Sequence, residues 1–166
     1  MASTIANLPE TLKIRTSDNK VIEVTGKLIN ESYVVKELFE KKDDKNAIEI
    51  TLPIKSFDLK SAVKALEMCD LETPHVPVTD PKGSRTLVQT HHNVMEFFES
   101  LQGDMISVSN VADVLECQRL KNLCLAFLAY QMVDLDTRGI RQRFGFRDDY
   151  TEEEEEAIRK AHEVLP

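Results

Sequence analysis

The 166-residue sequence predicts an α+β fold: helices laid on a small three-stranded sheet, extended at the C-terminus by a helical pair. Three observations predict it. Apolar and polar residues alternate in three short stretches near the N-terminus, the period of a strand. From about Val94 onward apolar residues recur at helical spacing instead. Three strands are also too few and too short for a doubly wound sheet.

The elements follow in order. Met1 to Glu10 reads as a flexible tail, with neither the basic start nor the apolar centre of a signal peptide. Leu12 and Ile14 alternate with Lys13 and Arg15, Ser17 to Lys20 is a turn, and Val21 to Val24 returns as the second arm of a hairpin. A helical region runs from Leu28 through Val34, Val35, Leu38 and Phe39. Ile48, Ile50 and Leu52 form a third strand that Pro53 stops, after a charged loop from Lys41 to Asn46. Ser56 is expected to cap a helix whose apolar face is Leu59, Ala62, Val63, Leu66 and Cys69.

From about residue 71 to 90 periodicity fails, and Pro74, Pro77, Pro81 and Gly83 predict one long exposed, disordered loop. Beyond it come stripes at Val94, Phe97, Phe98 and Leu101, broken by Gly103. Next are Met105, Val108, Val111, Ala112 and Leu115, then Leu120, Leu123, Cys124, Phe127 and Leu128. Helices from Thr137 to Phe144 and Thr151 to Val164 close the chain. The expected organisation is a tail over 1–10, a body over 11–133 and a helical extension over 134–166.

The last helix carries its own start signals. Thr151 followed by Glu154 fits a capping box. Glutamates 152–156 oppose the positive end of the helix dipole, and Glu155/Arg159 and Glu156/Lys160 are expected as i,i+4 pairs. Phe144, Phe146 and Tyr150 beside this run argue against a disordered acidic tail.

Composition narrows the function. A formal charge of −8 disfavours nucleic acid or an anionic membrane as partner. No apolar run reaches the length of a membrane helix. Three widely spaced cysteines, Cys69, Cys117 and Cys124, predict free buried thiols in a reducing compartment. Enzyme signatures are absent: there is no Gly-rich phosphate loop, no His-Glu-x-x-His and no Cys-x-x-Cys. The adjacent His91 and His92 diverge by about 100° on a helix and make a poor metal site. Asp148 and Asp149 read as solvated charge at a helix start. No catalytic residue, metal or cofactor is expected. Phe127, Ile140, Phe144, Phe146 and Tyr150 remain as apolar side chains able to seat a partner helix, or else to pack on the body.

The segment Ile140-Arg-x-x-Phe144-x-Phe146, then Asp149, Tyr150, Thr151 and the glutamates, resembles the SKP-type adaptors of SKP–cullin–F-box (SCF) ubiquitin ligases. The residues from Leu12 to Val24 resemble that family's opening hairpin, Ile50 to Pro53 its third strand, and Ala62 to Cys69 its next helix, so the likeness covers about residues 11 to 162. The resemblance implies a BTB/POZ-like body with two added C-terminal helices. It also implies a non-enzymatic, cytoplasmic and nuclear adaptor that bridges a cullin and F-box proteins in protein ubiquitination and degradation.

By position, it assigns F-box binding to Leu120, Leu123, Phe127, Ile140, Phe144, Phe146, Tyr150 and Ile158, and cullin binding to Val111, Asp113 and Val114. Departures from the family pattern are Asp113 and Val114 in place of Asn-Tyr, His91, His92 and Asn93 in place of Trp-Asp, and Thr137, Arg138 and Gly139 in place of Thr-Pro-Glu-Glu. The sequence after Lys160 also lacks the family's Asn-x-Trp. These departures keep a second reading open: a structural protein that self-associates as a homodimer through a BTB-type fold, with no ligase role.

Overall fold

The computed structural model describes residues 4–43, 49–102 and 104–163. It is mixed α+β and falls into two compact units, Met1–Tyr130 and Gln131–Pro166. In the first unit the strands are β1 (Thr11–Arg15), β2 (Val21–Thr25) and β3 (Glu49–Thr51), in the sheet order β2-β1-β3. Strands β1 and β2 pair antiparallel, with Leu12 opposite Val24, while β1 and β3 pair parallel, with Ile14 opposite Ile50. The alternation anticipated in β1 is real: Leu12 and Ile14 are buried, whereas Thr11 and Lys13 are exposed. Ile48 lies outside the described residues, so only Glu49–Thr51 of the third strand is seen.

Helices α1 (Leu28–Glu31), α2 (Tyr33–Glu40), α3 (Ser56–Glu67), α4 (Pro81–Thr90), α5 (His92–Ser100), α6 (Met105–Leu115) and α7 (Gln118–Met132) follow. The helical region after the hairpin is thus split in two. Ser32 causes the split: its extended backbone ends α1, and its hydroxyl accepts from the Val35 amide at 3.1 Å to cap α2. The same buried hydroxyl donates to the Leu115 carbonyl at 2.5 Å, which ties α2 to the end of α6. The core beneath holds Leu12, Ile14, Ile50, Leu59, Leu66, Val94 and Val108. Phe98 meets Phe127 edge-to-face, with 5.5 Å between centroids.

Residues 81–90 form helix α4, not a disordered loop. Pro81 occupies the first turn, where its missing amide costs nothing, and the Asp80 carboxylate accepts from Gly83 N at 2.6 Å. Residues 71–80 alone are irregular, and they are held down: Asn122 Oδ1 accepts from Val78 N at 3.2 Å and sits 2.7 Å from His75 Nε2. Nor is the N-terminal segment loose throughout. The Ile5 amide and carbonyl both bond the Asn30 side chain, and Ile5 and Leu8 pack on the core.

Ser56 is the first residue of α3 and not its cap. Asp18, from the β1–β2 turn, performs the capping: one oxygen accepts from Ser56 N at 2.8 Å and the other from Ser56 Oγ at 2.6 Å. These bonds, the Ser56 hydroxyl's first, hold the Asp18 carboxyl well below the usual carboxylate range. Its contribution to stability is therefore complete above the ordinary carboxylate pKa of about 3.9 and fades as pH falls below that value. Asp18→Ala is expected to lower the melting temperature at pH 7, and the gap to the parent protein should narrow on going from pH 4 to pH 2. A gap constant across that range in thermal melts contradicts the capping role.

The three cysteines are free, as the sequence suggests. Burial pushes the thiols of Cys69 and Cys117 up to about 11 and that of Cys124 to about 12. Reaction of the native protein with a thiol-directed disulfide reagent at pH 7.5 should be slower than that of free cysteine by roughly two orders of magnitude or more, because the thiolate is the nucleophile. Three fast equivalents should appear in denaturant.

Candidate functional site

The second unit contains α8 (Thr137–Phe144) and α9 (Glu152–Glu163). Asp136 opens α8, its carboxylate accepting from Gly139 N at 2.7 Å, so a cap one residue upstream gives this helix a firm start. Gly145 closes it at φ 66°, a conformation that favours glycine. The reversal sends the Phe146 amide back to the Arg141 carbonyl at 2.9 Å and stacks Phe146 against Phe144, with 6.0 Å between ring centroids.

The capping box of α9 is present in both directions. The Thr151 amide donates to Glu154 Oε2 at 2.9 Å, and the Glu154 amide donates to Thr151 Oγ1 at 3.2 Å. The charge pairing differs from the expected ladder. Glu156 lies 3.6 Å from Lys160 as anticipated, but Arg159 also pairs with Glu156, at 3.0 Å. Glu155 instead bonds Arg141 of α8.

Arg141 organises the unit. Its guanidinium bonds Glu155 and Asp148, the latter at 3.0 Å, and lies 5.2 Å from the centre of the Tyr150 ring. These bonds, that to Glu155 foremost, raise its already high pKa. One side chain thereby joins α8, the link and α9. Sequence reading named the aromatics and missed this residue; the visible signal was a cation one position after Ile140, with carboxylates at 148 and 155.

No residue of α8 or α9 is fully buried. Ile140 and Phe144 are half-buried, and Phe146, Tyr150 and Ile158 remain exposed by 64%, 52% and 44%. Between the helices runs a groove of about 560 Å³ lined by Thr137, Arg138, Ile158 and His162 among others.

In the first unit the assignments change. Leu120, Leu123 and Phe127 are core residues of α7, with exposures of 4% or less, and are not available to a partner. The stripe that marked them is the face α7 turns to the core, and periodicity alone does not distinguish such a face from an interface. Val111 is likewise buried. Asp113 and Val114 lie on the outer face of α6, together with Ile106, which is 69% exposed and was not anticipated. Asp113 is engaged by Lys121 at 2.9 Å, a contact that raises the lysine's pKa.

Arg119 was also missed. Nearly all of its side chain is buried, where it grips Glu31 through Nε at 2.7 Å and Nη2 at 3.1 Å and donates to the Thr73 carbonyl at 2.6 Å. His92, one of the two adjacent histidines, pairs with Glu96 at 3.2 Å. Among the described residues no helix is long and apolar enough to cross a membrane.

Residues 118–165 match the family model described as Skp1 family, dimerisation domain. The chain is 25% identical over 158 residues to S-phase kinase-associated protein 1 homolog of Tetrahymena thermophila, with 90% of each chain covered. It is 25% identical over 150 residues to SKP1-like protein 11 of Arabidopsis thaliana, covering 90% of this chain and 93% of the relative. The chain is thus similar to Skp1-family proteins over most of its length, at low identity.

Proposed function

We propose that this divergent relative of the Skp1 family is a non-enzymatic adaptor that links a cullin scaffold to F-box substrate receptors in an SCF E3 ubiquitin ligase. One observation carries the reading: the two helices of the C-terminal unit bury none of their residues fully, and the unit leaves Phe146, Tyr150 and Ile158 exposed, with Ile140 and Phe144 half-buried. A partner helix laid along them removes these side chains from water. Full burial of each Phe or Ile is worth about 1.5–3 kcal/mol before the cost of association. That arrangement suits recognition of an amphipathic helix and offers no site for chemistry.

Leu120, Leu123 and Phe127 are core residues of the first unit, which leaves the contact to the five residues beyond them. On the opposite task, the outer face of α6 supplies Ile106, Asp113 and Val114 for a cullin. Capture of an F-box peptide and of a cullin N-terminal region by the purified chain tests the proposal, and binding to neither sinks it.

A second reading has a specific observation in its favour. Ile106 and Val114 put exposed apolar surface on one face of α6. Self-association without a ligase role uses that face for a second copy. Size exclusion with light scattering separates the two: a concentration-dependent dimer that ignores cullin favours self-association.

A further inference from the structure

We infer that the partner surface on α8 selects F-box-type helices that carry acidic side chains beside their apolar stripe; this rests on the adaptor reading. Residues 137–147 hold four arginines and no carboxylate, in a chain of net charge −8. Arg141 is committed within the unit to Glu155 and Asp148. Arg138 is not: its side chain is 63% exposed, and its nearest carboxylate, Asp148, is 3.8 Å away and already held by Arg141. Arg147 is exposed and forms no ion pair among the described residues. These two cations flank Phe144 and Phe146 along the chain, so an apolar helix seated on the aromatics brings its neighbouring positions within reach of them.

Several of the acidic residues nearby are engaged within the unit. Glu154 caps its own helix, Glu155 turns to Arg141, and Glu156 turns to Arg159 and Lys160. Asp149, Glu152 and Glu153 stay exposed, and they oppose a continuous polyanion such as RNA. A peptide helix with a few discrete carboxylates places them beside Arg138 and Arg147 and keeps them clear of the glutamate run. Exposed pairs of this kind act mainly through selectivity and rate.

The test uses the full chain and two synthetic F-box peptides that differ only in Glu or Gln at the positions beside the apolar stripe, with affinities read by fluorescence anisotropy. The Glu peptide should bind about three- to tenfold tighter at 50 mM salt. The preference should shrink at 0.5 M, where screening is strong. In the double variant Arg138→Glu and Arg147→Glu the preference should vanish or invert. Neither cation is buried, so the melting temperature should hold. Equal binding of the two peptides, or a preference that survives the double variant, overturns the inference while leaving the adaptor reading intact. Tighter binding of a single-stranded RNA oligomer also overturns it. Failure of both peptides to bind overturns the adaptor reading and the inference together.

Discussion

Arg119→Ala lowers the stability of the N-terminal unit by about 3–5 kcal/mol, the cost of leaving one partner of a buried ion pair without the other. The side chains of Arg119 and Glu31 are 7% and 10% exposed, and both guanidinium contacts to the carboxylate are close to ideal length. Removing the arginine strands the carboxylate in a poorly solvated position and frees the Thr73 carbonyl. Most of the loss is the penalty for that stranded charge and not the net worth of the pair. Replacing both together, Arg119→Met with Glu31→Leu, should therefore recover most of it. The double variant should still lack the bond to Thr73, so hydrogen exchange in residues 71–80 should stay faster than in the parent. Chemical denaturation of the parent, single and double variants checks the ordering. A single variant within about 1 kcal/mol of the parent would show that water reaches the carboxylate and that the pair is a surface one.

Phe144→Ala combined with Phe146→Ala is the second large effect, and it falls on binding. The two rings pack on each other at the turn closing α8 and belong to the proposed F-box surface. Truncating an aromatic residue that anchors an interface costs about 2 kcal/mol or more, so with both rings removed the F-box peptide should bind several hundred-fold more weakly, on the order of 10³, by calorimetry. Neither residue is fully buried, and the melting temperature of the N-terminal unit should be unchanged. Global unfolding of the variant would instead make these rings core, and unchanged affinity would remove them from the interface.

Legibility of the fold followed the range of the interactions involved. The hairpin, the third strand and the terminal capping box are local: a period of two or a hydroxyl three residues from a carboxylate suffices, and these elements appear where the sequence places them. Helix α4 is hidden in the sequence because its Pro and Gly have the look of breakers, although Pro in a first turn after an Asp cap is a start signal. The site divided along the same line. Phe146, Tyr150 and Ile158 are exposed as a partner surface requires, while Leu120, Leu123, Phe127 and Val111 are not. An apolar stripe has the same period whether it meets its own sheet or another protein.

By itself, then, the sequence determined the α+β class, the order of most elements, the free cysteines, the aromatic cluster before the last helix and the resemblance to SKP-type adaptors. The tertiary structure alone decided which apolar faces were consumed by the core. It also decided which charges acted at a distance: Asp18 capping a helix 38 residues away, Arg119 reaching Glu31 and Thr73, and Arg141 joining α8 to α9. Both depend on which surfaces meet in space. Burial and ion pairing are properties of juxtaposed groups, and the chain's local pattern carries no record of a neighbour many residues distant.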